Sequence, residues 1–195
     1  MSQQTTDADH LPKIDQRELR NAFGKFATGV TVVTCRTPDG VPHGATVNAF
    51  TAVSLDPPLA QVTLIRGNKV SGYLEESPFA INIMSANQLD TCLNFAGKPM
   101  KGEVAWRSDA QDIPVIEGNI ATLECEPWAT YDGGDHLIVI GRVIALHSDN
   151  ELEPLGFFGG KFRDVGDYIG GAPWTSCGDS LASGWFEGST DFKSF

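Results

Sequence analysis

Short runs rich in β-branched residues recur along the chain, each cut off by turn chemistry, and this punctuation constrains the fold more than any other feature. "VTVVTCR" (30–36) meets "TPDG", "GATVNAFTAVSLDPP" (44–58) stops at a double proline, and "LAQVTLI" (59–65) meets "RGNK". "FAINIM" (79–84) and "NIATLECEPWA" (119–129) follow, then the turn "YDGGD" and the long run "HLIVIGRVIALHS" (136–148), the last two runs reading as a hairpin. Pro57 and Pro58 lack an N–H and restrict the residue before them, so the strand they follow ends at an edge or corner. Helical spacing is confined to a few places. Asp15 as N-cap, Glu18 three residues on, then Leu19, Ala22, Phe23 and Phe26 predict an amphipathic helix stopped by Gly29. Shorter helices are expected over 70–77 and, through Leu89, Cys92, Leu93 and Ala96, over 86–97, while residues 97 to about 118 lack a sustained period and read as loops or a short helix. Because the helices do not alternate regularly with the strands, the pattern predicts a mainly β, antiparallel barrel with peripheral helices rather than a doubly wound parallel sheet.

A length of 195 residues suits one well-buried domain. Its expected extent is 15–163, between a polar leader (1–14) and a Gly-rich extension (164–195) that carries Tyr168, Trp174, Trp185, Phe186, Phe192 and Phe195. The leader holds neither a secretory nor an Arg-rich organellar signal, and no apolar run approaches the roughly 20 residues that span a bilayer, so a cytoplasmic protein without membrane contact is expected. A formal charge of −11 repels nucleic-acid phosphates and requires any anionic ligand to find local Arg or Lys. Cys35, Cys92, Cys125 and Cys177 form no C-x-x-C pair and His10, His43, His136 and His147 no H-E-x-x-H spacing, so no metal is assigned.

Three stretches carry candidate chemistry. In 44–58 one face would hold Ala45, Val47, Ala49, Val53 and Leu55, and the other Thr46, Asn48, Phe50, Ala52 and Ser54. Such small side chains suit either close packing of barrel walls or a platform on which Asn48 and nearby main chain meet the polar edge of a flat heterocycle. In "RGNK", Arg66 and Lys69 beside Asn68 are either solvated loop cations or a phosphate receptor, Arg as a fork and Lys as a point charge. "GGKFR", with Lys161 and Arg163 around Phe162, is a less specific version of the same idea. His136, beside Asp135 at the mouth of a strand, is either a surface residue or a hydrogen-bonding group able to change its charge near neutral pH. The dinucleotide, P-loop and hydrolase-elbow motifs are absent, and "GDSLA" near the end lacks the preceding strand that an elbow needs.

Taken together, "FATGVTVVTC", "GATVNAFTAVSLDPPL", "FAINIM", "CLNFAGK" and "GGDHLIVIGRV" closely resemble the flavin reductase-like family over about residues 17 to 163. The resemblance implies an FMN-binding split β-barrel, a homodimer with flavin sites at or near the subunit interface, and hydride transfer from NADH or NADPH to FMN or FAD. It further implies that Thr46, Val47, Asn48 and Ala49 line the flavin, that Ser54 and Leu55 continue the wall, and that Asn68 and Lys69 face the phosphate. Phe95 would help to close the site, and His136 would act near the flavin and the nicotinamide. Related proteins often carry a Ser/Thr-rich phosphate loop where this chain has Arg66-Gly67-Asn68-Lys69-Val70-Ser71. The function implied is supply of reduced flavin to a separate monooxygenase. A tightly held flavin acting on an organic substrate and a non-catalytic flavin-binding protein are the alternatives.

Overall fold

A computed structural model of the chain describes residues 13–109 and 112–166. The leader up to residue 12 and the extension from residue 167, with its aromatic residues, Cys177 and "GDSLA", lie outside the described residues. Helix α1 (Gln16–Phe23) starts as its sequence predicts, with Asp15 Oδ1 accepting from the N–H groups of Arg17 and Glu18, each at 2.9 Å. It ends sooner than Gly29, at Gly24. The cause is tertiary: the Gly24 carbonyl also accepts from Gly159 N–H at 2.9 Å, which ties the chain to a small antiparallel sheet. That sheet joins β1 (Thr28–Gly29) to the hairpin of β9 (Leu155–Phe158) and β10 (Lys161–Asp164).

The main sheet has seven antiparallel strands: β2 (Thr31–Arg36), β3 (Pro42–Val47), β4 (Phe50–Leu55), β5 (Pro58–Ile65), β6 (Phe79–Ile83), β7 (Ala121–Gly133) and β8 (His136–Ser148). Their spatial order is β3-β2-β6-β7-β8-β5-β4. Helices α2 (Lys69–Tyr73) and α3 (Leu89–Phe95) lie at its periphery, and the described residues of 97–118 contribute loops and one isolated bridge, Trp106 with Ile116. The run 44–58, expected as one strand, is two. β3 and β4 occupy opposite edges of the sheet, and the alternation breaks at Asn48–Ala49 because there the chain crosses from one edge to the other. Ala49 marks the crossing, since its carbonyl accepts from Thr63 N–H of β5 at 3.0 Å.

The interior is filled from both sides of β2. Val33 and Cys35 join Val62, Leu64, Phe79, Ile81 and Val139 inside the barrel, while Val30 and Val32 pack outward with Met84, Cys92, Ile116 and Leu155. A glycine is required at 141, where a Cβ would stand 2.6 Å from Phe79 Cζ and 2.8 Å from Cys125 Cβ. Pro127, opposite Gly141, sits at a bulge of the β7–β8 hairpin and beyond the pairing with β6, so its missing N–H breaks no central ladder. Cys35, Cys92 and Cys125 are buried and free; burial pushes the Cys35 thiol up to about 11 and the other two to about 12, so none is a thiolate at neutral pH. Among the described residues no helix is long and apolar enough to cross a membrane.

Candidate active site

The crossing at Asn48–Ala49 opens one side of a cavity of about 850 Å³. Its far wall comes from two paired strands. Ile65 pairs with His136 and Thr63 with Ile138, and the period of two turns all four toward the cavity. Thr46 and Val47 at the end of β3 continue into the exposed Asn48 and Ala49, and Asn68 enters from the β5–α2 loop. Asn48 has no side-chain hydrogen bond among the described residues, so its amide is available to a ligand. The Thr46 hydroxyl is not, because it donates to the Cys92 carbonyl of α3 at 2.6 Å. Helix α1 supplies the remaining wall through Gln16, Leu19, Arg20 and Phe23, one helical face. The volume lies in the range of cofactor sites, and each wall sets apolar side chains (Leu19, Phe23, Val47, Ile65, Ile138) beside polar ones, a lining that suits a flat heterocycle with polar edges.

The β7–β8 turn forms the rim. His136 Nδ1 lies 2.6 Å from Asp135 Oδ1, and because an ionised carboxylate can only accept, Nδ1 carries a proton. The bond from His136 holds the Asp135 carboxyl below the usual carboxylate range, and the histidine's charge acts in the same direction. Gly134 N–H donates to Asp132 Oδ1 at 2.8 Å and stands at φ 77°, a conformation glycine adopts without strain. Arg66, which the sequence left between solvent and phosphate, is committed elsewhere. Its Nε donates to the Gly134 carbonyl at 2.8 Å and its Nη2 to Asp132 Oδ2 at 2.7 Å. On the same loop, Asn68 Oδ1 accepts from Val70 N–H at 2.9 Å and so caps α2.

Residues 23–166 match the family described as flavin reductase like domain. The chain belongs to the flavin reductase-like family. It is 41% identical over 152 residues to the FMN reductase (NADH) SmoA of Agrobacterium fabrum, covering 76% of this chain and 85% of that protein. It is 34% identical over 179 residues to HsaB of Rhodococcus jostii, the reductase subunit of a flavin-dependent monooxygenase, covering 89% of this chain and 91% of that one. The solved flavin reductase PheA2 superposes with a TM-score of 0.74 at 37% identity, covering 79% of this chain and all of that chain. The barrel is therefore the split barrel of the flavin reductases.

Within this flavin reductase-like chain, Thr46, Val47, Asn48, Ala49, Asn68 and His136 are gathered at one cavity, whereas Ser54, Leu55, Lys69 and Phe95 are not among its lining residues. Ser54 and Leu55 continue along β4, and Lys69 is exposed at the first position of α2. Phe95 stands behind β3, its ring edge-on to Trp106 with centroids 6.1 Å apart, and a Cβ on Gly44 would meet it at 3.0 Å. Lys161 and Arg163 belong to β10 of the small sheet. The α1 face was missed, because its apolar spacing reads equally well as a helix covering a core. Arg20, in the middle of that face, was its available signal.

Proposed function

We propose that this protein transfers a hydride from NADH to FMN or FAD bound in the cavity and releases reduced flavin to a separate oxygenase. The supporting observation is that one cavity brings together the exposed 48–49 main chain, the Asn68 loop and His136, in a chain similar to an NADH-dependent FMN reductase and to a monooxygenase reductase subunit. When bound, the flavin supplies the hydride-accepting ring and the nicotinamide the hydride. Val47, Ile65, Ile138, Leu19 and Phe23 provide apolar contact and exclude water. Asn48 and the main chain beside it orient the ring's polar edge, and the imidazolium form of His136, with Nδ1–H on Asp135, donates a hydrogen bond from Nε2 where negative charge develops. No side-chain nucleophile is needed. The test supplies purified protein with FMN, FAD, NADH and NADPH and follows nicotinamide oxidation. Turnover of free flavin supports the proposal. Flavin retained through gel filtration with poor turnover of free flavin would instead mean a bound prosthetic group, and flavin binding without any oxidation a carrier.

The phosphate is placed with Arg20, which lines the cavity, and Lys69, beside the Asn68 loop. Arg20→Ala and Lys69→Ala are each expected to weaken FMN binding about tenfold, the loss of one charge-assisted contact. Riboflavin, which lacks the phosphate, should bind both variants as it binds the wild type. Equal losses for the two flavins would refute the placement.

Two exposed apolar surfaces support a homodimer. Helix α1 buries none of its eight residues, with Phe23 69% exposed and nearby Phe26 77%, and a helix this short does not persist without packing. At the end of the main sheet Leu55 (66%), Ile144 (54%) and Leu146 (68%) are also uncovered. Leu55 and Ser54 would then meet a second copy, close to its flavin site. Sedimentation should show a dimer for the wild type and dissociation toward monomer when Ile144→Lys and Leu146→Lys are combined; a monomeric wild type rejects the assembly.

A further inference from the structure

Two loops that contribute different residues to the cavity are joined, just past the Ile65–His136 end of the β5–β8 ladder, by one residue through both its main chain and its side chain. Asn68 belongs to the loop after β5; Gly133, Asp135 and His136 belong to the β7–β8 turn. Between them Arg66 makes one main-chain and two side-chain connections: its backbone N–H donates to the Asp135 carbonyl at 3.0 Å, and, from the guanidinium, Nε donates to the Gly134 carbonyl at 2.8 Å and Nη2 to Asp132 Oδ2 at 2.7 Å. The other carboxylate oxygen of Asp132 accepts from Gly134 N–H, so the guanidinium closes a ring of contacts around the turn. On its own side, the Arg66 carbonyl accepts from Ser71 Oγ at 3.3 Å, and Asn68 N–H donates to Ile65 at 3.0 Å.

We infer that Arg66 is a positioning residue for hydride transfer: its planar fork locks the Asp132–His136 turn onto the flavin-side loop and so holds the imidazole at the cavity rim. The inference rests on the flavin reductase reading and deepens it, and it removes Arg66 from the phosphate site. The guanidinium is spent on a carbonyl and a carboxylate at once. Lysine cannot reproduce this, because an ammonium lacks the fixed in-plane pair of donors. The contact is a poor candidate for a purely structural device, since the Arg66 side chain is 42% and that of Asp132 82% exposed, and ion pairs in such positions contribute little to stability. A small displacement of a group at the reacting centre, by contrast, has a large effect on rate.

The experiment uses the full chain with Arg66→Ala, Arg66→Lys, Asp132→Asn and the double variant Arg66→Ala/Asp132→Asn. Thermal unfolding should be little changed. The single-turnover rate of flavin reduction by NADH is expected to fall about 10- to 100-fold in Arg66→Ala, with FMN and riboflavin affinities both within about twofold of wild type. Arg66→Lys should recover only part of the rate, and the double variant should lose no more than the worse single one. Amide exchange of residues 132–136 should accelerate in Arg66→Ala. Weaker FMN binding with riboflavin unaffected would overturn the inference in favour of a phosphate contact; an unchanged rate or full recovery in Arg66→Lys would also overturn it. If the wild type oxidised no NADH, the flavin reductase reading would fall, while exchange in the turn would still decide the lock: acceleration supports it and unchanged exchange rejects it.

Discussion

His136→Ala is expected to lower the single-turnover rate of hydride transfer at saturating flavin by about 100-fold, the usual loss for one placed proton donor or charge-stabilising group. Flavin affinity should stay within about twofold, because apolar contact from Val47, Ile65 and Ile138 remains. The geometry explains why rate and binding separate. Asp135 fixes the ring through Nδ1, which leaves Nε2 as the nitrogen that can serve the ligand, and the paired Ile65 and His136 put the residue at the end of the apolar wall rather than within it. His136→Asn should keep part of the rate, since a neutral amide still donates a hydrogen bond. Rapid-mixing absorbance separates the two quantities. A large loss of affinity with the rate intact would reverse the assignment and make His136 a binding residue.

What was legible in the sequence depended on whether the physics was local. The N-cap at Asp15 and the turn at Gly134 are decided within a few residues and were readable. So were the small side chains of "GATVNAF", but not the division of that run into two strands, because the hydrogen bond that shows the crossing comes from Thr63, in a different strand. "VTVVTC" declares itself a strand by β-branching yet does not alternate, since β2 is buried on both faces; only the packing of α3 and Ile116 over Val32 supplies the second face. Arg66 could be seen as a fork but not as one already occupied, because Asp132 lies 66 residues away. The same applies to residues 97–118, where no period exists to be read. Its last turn is anchored by one hydrogen bond from Ile116 N–H to a buried asparagine, by main-chain bonds between 105–107 and 115–117 and by the buried Ile113, Val115 and Ile116, none of which leaves a repeating apolar face.

That asparagine carries the largest expected effect on stability. Asn82, fully buried on β6, spends its whole hydrogen-bonding capacity. Its Nδ2 donates to the Val32 carbonyl and to Thr34 Oγ1, each at 2.9 Å, and its Oδ1 accepts from Ile116 N–H at 3.1 Å and from Asn119 Nδ2 at 2.9 Å. Thr34 passes the chain on, donating to the Pro114 carbonyl at 2.5 Å. Asn82→Leu fills the space but leaves Ile116 N–H without its acceptor, an unmade buried bond that costs about 1–3 kcal/mol, and strips bonds from three further groups, so a total near 4 kcal/mol is expected. For a chain of this length that lowers the melting temperature by about 10 °C. Asn82→Ala should lose somewhat less, since a water can enter where a methyl-lined space cannot admit one. The damage reaches the cavity, because Ile116 and Trp106 back α3, whose Phe95 and Cys92 support Gly44 and Thr46 of β3. Flavin affinity should therefore fall together with stability in both variants. Urea denaturation giving less than about 1 kcal/mol for Asn82→Leu would show that the 113–119 segment is held by its apolar contacts and main-chain bonds alone, and that the cavity does not depend on this network.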